Sequence, residues 1–316
     1  MPDKKVIAVL GATGAQGGGL VRSILNDKSS EFAPRALTRS INSDKAKALA
    51  NAGAEVREVD IDNYESIKSA LEGAYGVYAV TFFWEHFSPE KELAQAELIA
   101  RAAKANGLKH VIWSTLENTR NWVSLDDNRM PTLHGKYKVP HFDAKGEANK
   151  FFTEQGVPTT FLLTSFYWDN FLYFGMGPKK GADGKFVLSL PMGDKKLSGI
   201  AAEDIGKSAY GIFKKGNEFI GKTVGIAGGH LTGKEMADSF AKVLGADVSY
   251  YAVPFDIYRS LGFPGADDLG NMFQFKHDFN DYYCGARNLE FAKSINPSLK
   301  SFDEWLKENK DRIPLD

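Results

Sequence analysis

Three sets of residues in this 316-residue chain have the types and spacing to do chemistry. The first is Gly11-Ala12-Thr13-Gly14-Ala15-Gln16-Gly17, which follows the apolar run Val6 to Leu10 and precedes Leu20, Val21, Ile24 and Leu25 at helical spacing. Strand, glycine turn and helix in that order make a cradle for a dinucleotide's diphosphate. Gly11 makes the turn, Gly14 removes a Cβ where backbone must touch the pyrophosphate, and Gly17 lets the helix pack close to the sheet. Free backbone N–H groups and the helix dipole then favour negative charge. The second set is Thr38-Arg39-Ser40 with Ser43. An NAD site usually carries a carboxylate here for the ribose 2′-hydroxyl. A guanidinium among hydroxyls suits a 2′-phosphate instead, so the expected cofactor is NADP(H).

The third set is His141-Phe142-Asp143-Ala144-Lys145, downstream of Ser114-Thr115. His141 and Lys145 lie one helical turn apart on one face. On the helix read from Pro140 to Glu154, Asp143, Glu147, Lys150 and Glu154 form a polar stripe, and His141, Lys145, Ala148 and Phe152 the opposite one. A lysine on the inward stripe is costly unless paired or hydrogen-bonded, which makes Lys145 a candidate to bind the nicotinamide ribose. A short-chain reductase uses Tyr-x-x-x-Lys on this helix, its phenol acidified by the lysine, with a Ser or Thr at the end of the preceding strand. Here His141 stands in the tyrosine's place, and Thr115 is the hydroxyl candidate. An imidazole can donate a hydrogen bond or, protonated, a proton, but the phenol is gone. Tyr64 to Lys68 and Tyr210 to Lys214 match the pattern by letter on other elements and read as chance pairs on helix surfaces.

The elements that must position these groups alternate. Strands are read at Pro34 to Thr38, Glu55 to Val59, Val77 to Val80, His110 to Ser114 and Thr159 to Leu163, and helices at Lys45 to Ala52, Tyr64 to Leu71 and Pro89 to Ala105. This rhythm implies right-handed crossovers and a Rossmann-type, doubly wound parallel sheet in an α/β fold. Ligand groups then collect at the carboxyl ends of the strands. Asp60-Ile61 could flank the adenine, and Thr81-Phe82-Phe83 could line the nicotinamide side. Thr164 to Pro178 reads as a loop dense in aromatics, able to wall a cleft, bury an interface or pack a core. Phe186 to Leu190 reads as a strand, and Ala202 begins a helix with Asp204 as its cap. Thr223 to Ala227 returns to the sheet, and Thr232 to Leu244 and Ser301 to Lys310 read as helices. We expect a binding domain over residues 1–160 and an interleaved C-terminal substrate or partner lobe over 161–316.

Composition narrows the classes further. Net charge of -1 gives no reason to expect nucleic acid or an anionic membrane. Met1 to Lys5 runs straight into the first strand, leaving no room for a signal peptide, and no apolar stretch approaches a membrane span. A single cysteine, Cys284, cannot form an intramolecular disulfide and is consistent with a reducing cytoplasm. The 6 histidines are dispersed, so no metal is expected.

With these residues assembled the chain resembles the NmrA-like family of atypical short-chain dehydrogenase/reductases, and within it the redox-sensor members of animal cells. The likeness runs nearly end to end, through Gly11 to Gly19, Thr38-Arg39, Ser114-Thr115-Leu116-Glu117-Asn118, His141 to Glu147, Leu188-Ser189-Leu190-Pro191 and Leu261 to Ala266. It implies NADP(H) binding, little or no dehydrogenase activity, and sensing of the NADPH/NADP balance through protein partners. By position it assigns the pyrophosphate to Gly11 to Gln16, the 2′-phosphate to Arg39 and its neighbours through Ser43, and the adenine region to Asp60 and Ile61. The nicotinamide side falls to Thr81, Phe82, Phe83, Lys145 and the segment Tyr167 to Asn170. Two departures concern the substrate side: the loop Thr115 to Pro140 is longer than the family pattern, and Leu163-Thr164-Ser165 lacks its Arg-x-Pro. A reductase of a quinone or carbonyl compound, assisted by His141 or Thr115, stays open as the alternative, and the likeness is compatible with a homodimer.

Overall fold

The alternation legible in the sequence folds as a parallel sheet covered on both faces. The computed structural model describes residues 4–181 and 184–315. It runs through β1 (Lys5–Val9), α1 (Ala15–Asn26), β2 (Phe32–Thr38), α2 (Asp44–Asn51), β3 (Glu55–Glu58), α3 (Tyr64–Ala70), β4 (Gly76–Ala79), α4 (Pro89–Ala105), β5 (His110–Thr115), α5 (Pro140–Glu154) and β6 (Thr159–Leu163). Next come β7 (Phe166–Tyr167), α6 (Asn170–Tyr173), β8 (Lys179–Lys180), β9 (Phe186–Leu190), β10 (Lys196–Ile200), α7 (Ala202–Lys214), β11 (Thr223–Gly225) and β12 (Gly229–Thr232). The chain ends with α8 (Gly233–Leu244), β13 (Val248–Ala252), α9 (Phe255–Arg259), α10 (Ala266–Asp278), α11 (Asn280–Gly285), α12 (Leu289–Ile295) and α13 (Phe302–Asn309). Two units form: one of Met1–Asn118, His141–Thr164 and Glu203–Val224, the other of Thr119–Pro140, Ser165–Ala202 and Gly225–Asp316.

The first unit is built on a seven-stranded sheet of order β11-β6-β5-β4-β1-β2-β3. Its central strands are apolar on both faces because helices cover both: Ile7, Ala8, Val77, Val111, Ile112 and Trp113 are fully buried. The edge strand β3 reads Glu-Val-Arg-Glu, and charge there blunts edge-to-edge pairing. Helix α4 turns Ala96, Ile99, Ala100 and Ala103 onto the sheet with no exposed surface. Helices α1 and α7 touch backbone to backbone. A Cβ on Gly206 would lie 2.2 Å from the Leu20 nitrogen, and one on Gly19 2.3 Å from the Glu203 carbonyl oxygen. Only glycine permits that approach, and it fixes where the amino end of α1 points.

The second unit carries two three-stranded sheets, β12-β10-β7 and β13-β9-β8. The segment Thr164 to Pro178, expected as loop, contains β7 and α6. Its aromatics divide: Phe166, Trp168 and Phe171 are buried, while Tyr173 and Phe174 are 65% and 64% exposed. Trp168 packs on Phe302 at 5.4 Å and Phe171 on Phe240 at 5.3 Å between ring centres, so core packing claims the buried rings. The long connection before α5 is tied into the same unit. Lys138 is buried and donates to the carbonyls of Asp127 and Met130, both at 2.8 Å. Asn271 of α10 donates to the carbonyls of Pro131 and Lys138 at 2.9 and 2.6 Å.

Two local expectations are corrected. Asp143, placed by its spacing on the solvent stripe of α5, is fully buried. Asp204 does not cap α7: it lies inside the first turn, fully buried and 2.6 Å from the Lys207 ammonium. The first N–H of that helix, from Ala202, donates to Asp169 at 2.9 Å. Thr232 and Ser301 do cap α8 and α13, each in a reciprocal capping box with a glutamate. Among the described residues no helix is long and apolar enough to cross a membrane.

His110 on β5 is fully buried. The Thr160 hydroxyl donates to the Phe219 carbonyl, so it accepts from His110 Nε2 at 2.8 Å, leaving Nδ1 without a proton or a partner. Burial pushes this imidazole's pKa down to about 4. The unfolded ring titrates near 6.5 and the folded one lower, so stability is complete above the unfolded value and is lost as pH falls between them. We expect His110→Gln to remove on the order of 3 kcal/mol of acid sensitivity, read as the wild-type-minus-variant difference in denaturation midpoint across that window. A difference that does not change with pH would refute the assignment.

Candidate functional site

From β1 the chain moves outward through β2 and β3 on one side, and through β4, β5 and β6 on the other. The strand order therefore reverses between β1 and β4, and their carboxyl ends open a crevice there. Gly11 to Gly17 follow β1, Thr38 and Arg39 end β2, Thr81 to Phe83 follow β4, and Ser114 and Thr115 end β5. The topology thus gathers at one edge of the sheet the three sets that the sequence keeps far apart.

Gly11 adopts φ of +64°, the turn off β1 that an L side chain resists. A Cβ on Gly17 would lie 2.5 Å from the Gly11 carbonyl oxygen, so the turn closes tightly on the first helical turn. Ala12 is buried under the loop, whereas Gly11, Gly14 and Ala15 are exposed and Thr13 and Gln16 half-exposed. Gln16 is anchored from the sheet: its side-chain carbonyl accepts from the Tyr78 hydroxyl of β4 and, at 3.0 Å, from the Ser114 hydroxyl of β5. The amino end of α1 has no side-chain cap and no acidic residue in its first turn. Helices α2, α3, α4, α8, α12 and α13 each have both. The positive end of the α1 dipole is therefore met by no acidic side chain of its own first turn, which favours an anion there.

Arg39 leaves β2 with its side chain 69% exposed and pairs with the carboxylate of Glu85, itself 47% exposed. The neighbouring hydroxyls have local duties. Ser43 caps α2 and donates to the Ser40 carbonyl at 3.0 Å, and Thr38 accepts from the Ser40 N–H at 3.3 Å. Asp60 is exposed, and its carboxylate accepts the Asp62 N–H at 2.9 Å; Ile61 beside it is half-buried.

Lys145 does lie on the inward stripe of α5, its side chain 12% exposed. Its ammonium faces three acceptors, Glu92 Oε1 at 2.6 Å, Thr81 Oγ1 at 2.8 Å and the Thr81 carbonyl at 3.1 Å, which match its three N–H groups. The Thr81 hydroxyl donates onward to Glu92 Oε1 at 2.6 Å. Glu92 is fully buried, and burial alone would raise its carboxyl. The Lys145 charge, His86 and the two hydrogen bonds outweigh that and hold its pKa down to about 2. The second Glu92 oxygen faces His86 Nε2 at 3.4 Å, too poorly aligned for a hydrogen bond, and neither atom has another partner. His86 Nδ1 accepts the Ser88 N–H at 3.1 Å, which places the ring proton on Nε2, toward Glu92.

Sequence reasoning passed over Glu92, Glu85 and His86. The signal for Glu92 was present: it shares a helical stripe with Ala96, Ile99 and Ala103, and a carboxylate in an apolar stripe needs a buried cation. Glu85 and His86 belong to a turn with no periodicity to read.

The remaining candidates separate. His141 is buried, its ring 4.7 Å from Trp84 and 5.8 Å from Phe83 between centres. Phe83 is buried in this cluster, whereas Phe82 is 56% exposed. Thr115 is fully buried, its hydroxyl 2.8 Å from Asn149 Oδ1 and 3.0 Å from the Lys145 carbonyl. That hydroxyl clamps β5 to α5 and is not presented to a ligand. Tyr167 ends β7 and Asn170 begins α6, both half-exposed in the second unit. Of the letter matches, Tyr210 and Lys214 both reach Asp27, at 2.8 and 3.3 Å. Burial, with Asp27 beside it, pushes that phenol up to about 12, the reverse of what a catalytic tyrosine needs. Tyr64 instead carries the Arg101 guanidinium 4.9 Å over its ring.

Truncating one partner of the buried pair strands the other charge. We expect Glu92→Ala to cost about 3 to 5 kcal/mol of unfolding free energy, and the double variant Glu92→Ala/Lys145→Met to recover part of it. Denaturant titration of both checks this, and additive losses would contradict it.

A family model described as the NmrA-like family matches residues 3–306. An NmrA-like family domain-containing protein of Dictyostelium discoideum is 28% identical over 311 residues, covering 97% of this chain and 98% of that one. An NmrA-like family domain-containing oxidoreductase of a Cladobotryum species is 29% identical, covering 85% and 83%. Among solved structures, NmrA, a negative transcriptional regulator, in complex with NADP superposes with a TM-score of 0.78 at 22% identity, covering 97% of this chain and 95% of NmrA. Triphenylmethane reductase of a Citrobacter species, complexed with NADP(H), gives 0.74 at 18%, covering 96% and 99%. The crevice at the β1/β4 reversal, the glycine turn and the match across nearly the whole length lead to one assignment: the chain belongs to the NmrA-like family.

Proposed function

We propose that this chain binds NADP(H) in its first unit and acts as a regulator responsive to the NADPH/NADP balance through a protein partner. The observation that carries the nucleotide reading is the amino end of α1, which has neither a side-chain cap nor an acidic residue in its first turn, where its neighbours α2, α3 and α4 have both. Gly11 to Gln16 hold the diphosphate there. Thr38, Arg39 and Ser43 take the 2′-phosphate, Asp60 and Ile61 flank the adenine, and Thr81, Phe82, Phe83 and Lys145 face the nicotinamide side. NmrA, a regulator solved in complex with NADP, supports the same reading.

When bound, the nicotinamide supplies a hydride. The chain's own groups supply little to go with it. His141 replaces the expected phenol, the Thr115 hydroxyl is buried in a strand–helix clamp, and the three Lys145 N–H groups are already matched by acceptors. That commitment favours a binding role over turnover. A second reading, a reductase of a quinone or carbonyl compound, is favoured by the aromatic cluster of Phe83, Trp84 and His141 and by the relatives named as oxidoreductases.

Two measurements test these statements. Arg39→Ala should weaken NADPH about tenfold to a hundredfold in calorimetry, the worth of a charge-assisted phosphate contact, and leave NADH nearly unchanged. Equal losses for both would remove the 2′-phosphate assignment. Stopped-flow oxidation of NADPH against a panel of quinones and aldehydes should not exceed background. Turnover that vanishes in His141→Ala or Lys145→Ala would overturn the regulator reading in favour of the reductase.

A further inference from the structure

Glu85 stands on the guanidinium that the sequence reserves for a phosphate. It is the last residue of a one-turn helix, Phe83–Glu85, held by its own backbone: Glu85 N–H donates to the Phe82 carbonyl at 3.2 Å, and His86 and Phe87 N–H to the Phe83 carbonyl at 3.1 and 2.8 Å. Phe87 closes the turn at φ of +53°, a left-handed conformation rare for a non-glycine residue. Between Thr81 and Phe87 the chain thus has little slack. The same turn carries Trp84, packed on His141 at 4.7 Å, and His86, whose Nε2 faces the buried Glu92 at 3.4 Å. One short segment therefore touches both the Arg39 end and the Lys145 end of the site.

We propose that Glu85 is an internal anion that a cofactor's 2′-phosphate displaces from Arg39, making this pair both a determinant of NADP-over-NAD preference and the contact through which the phosphate reaches Trp84 and His86. A dinucleotide without the 2′-phosphate offers Arg39 no anion at this point, and the pair persists. A 2′-phosphate is a stronger, bidentate partner for the guanidinium, so it competes for the Nη1 that Glu85 holds and repels the carboxylate beside it. Glu85 is then released into water, where repulsion from the phosphate carries it and its turn away. Because both side chains are substantially exposed, the carboxylate costs the cofactor only modest affinity, and the pair is poised to exchange. The inference rests on the NADP(H) reading above.

The test uses adenosine 2′,5′-bisphosphate and 5′-ADP as probes, since neither has a nicotinamide, with calorimetry on the full chain. Glu85→Gln and Glu85→Ala should each tighten the bisphosphate about two- to fivefold and leave 5′-ADP unchanged. Glu90→Gln, which removes an exposed carboxylate from the first turn of α4, should move neither. Tryptophan emission should respond to the bisphosphate but not to 5′-ADP in the wild type, and the response should be lost in Trp84→Phe and in Glu85→Gln. An unchanged or weakened bisphosphate affinity in the Glu85 variants, an equal gain in Glu90→Gln, or an emission response indifferent to Glu85 would each overturn the proposal. If wild-type protein binds neither probe, it is the nucleotide reading itself that fails.

Discussion

A carboxylate without access to water, paired with one ammonium, governs the geometry of this site. Glu92 sits in the first turn of α4, Lys145 in α5 and Thr81 at the end of β4, and three contacts between 2.6 and 2.8 Å bind them into one knot. Desolvating either charge alone would cost several kcal/mol, so the helices on which they ride must meet where the charges meet. This places His141, one turn before Lys145, against Trp84, and it places the Lys145 carbonyl within reach of the Thr115 hydroxyl. The ion pair contributes less as net stability than as a constraint on register, since an apolar pair of the same volume could pack without fixing which turn of α5 faces β4.

The Tyr210 and Lys214 pair shows why residue letters need a position. It has the spacing of a catalytic couple, yet it lies where α7 approaches the end of α1, and an aspartate rather than a cofactor stands in front of it. An adjacent anion disfavours the phenolate, and burial does too, so the same letters yield a phenol less acidic than a free one. Conversely, the lysine on α5 was legible without its tyrosine, because an ammonium on an inward stripe carries an energetic demand that any fold must meet.

The fold was readable where period and punctuation agree. The βα alternation, the glycine turn, the bounds of α4 and α5 and the capping box of α8 follow from apolar spacing and cap residues that act over one or two turns. What was missed depends on contacts far apart in sequence. Asp143 looks solvent-facing by its spacing, and Asp204 looks like a cap by its type, but tertiary partners buried both. The aromatic stretch after β6 could not be divided into core and surface until α8 and α13 were seen to cover Trp168 and Phe171. Glu92 lay in plain view on an apolar stripe, and asking which buried cation it required would have led to Lys145.

The same charge balance bears on how such a site could tell reduced from oxidised cofactor. The two forms carry identical phosphates, so on the proposed reading the α1 terminus and Arg39 contribute nothing to the difference between them. Regulation by redox state requires differential affinity, and that must arise at the Thr81 and Lys145 end. There the Glu92 carboxylate is offset by the Lys145 ammonium, so little net field remains to favour a positively charged nicotinamide ring. The aromatic faces of the Phe83 and Trp84 turn are the other resource, and a cation near such a face gains on the order of 0.5 to 1 kcal/mol when partly exposed. An advantage of that size is a few-fold preference, enough to grade occupancy across a changing NADPH/NADP ratio but too small to switch it, unless the turn itself moves and changes what the partner sees.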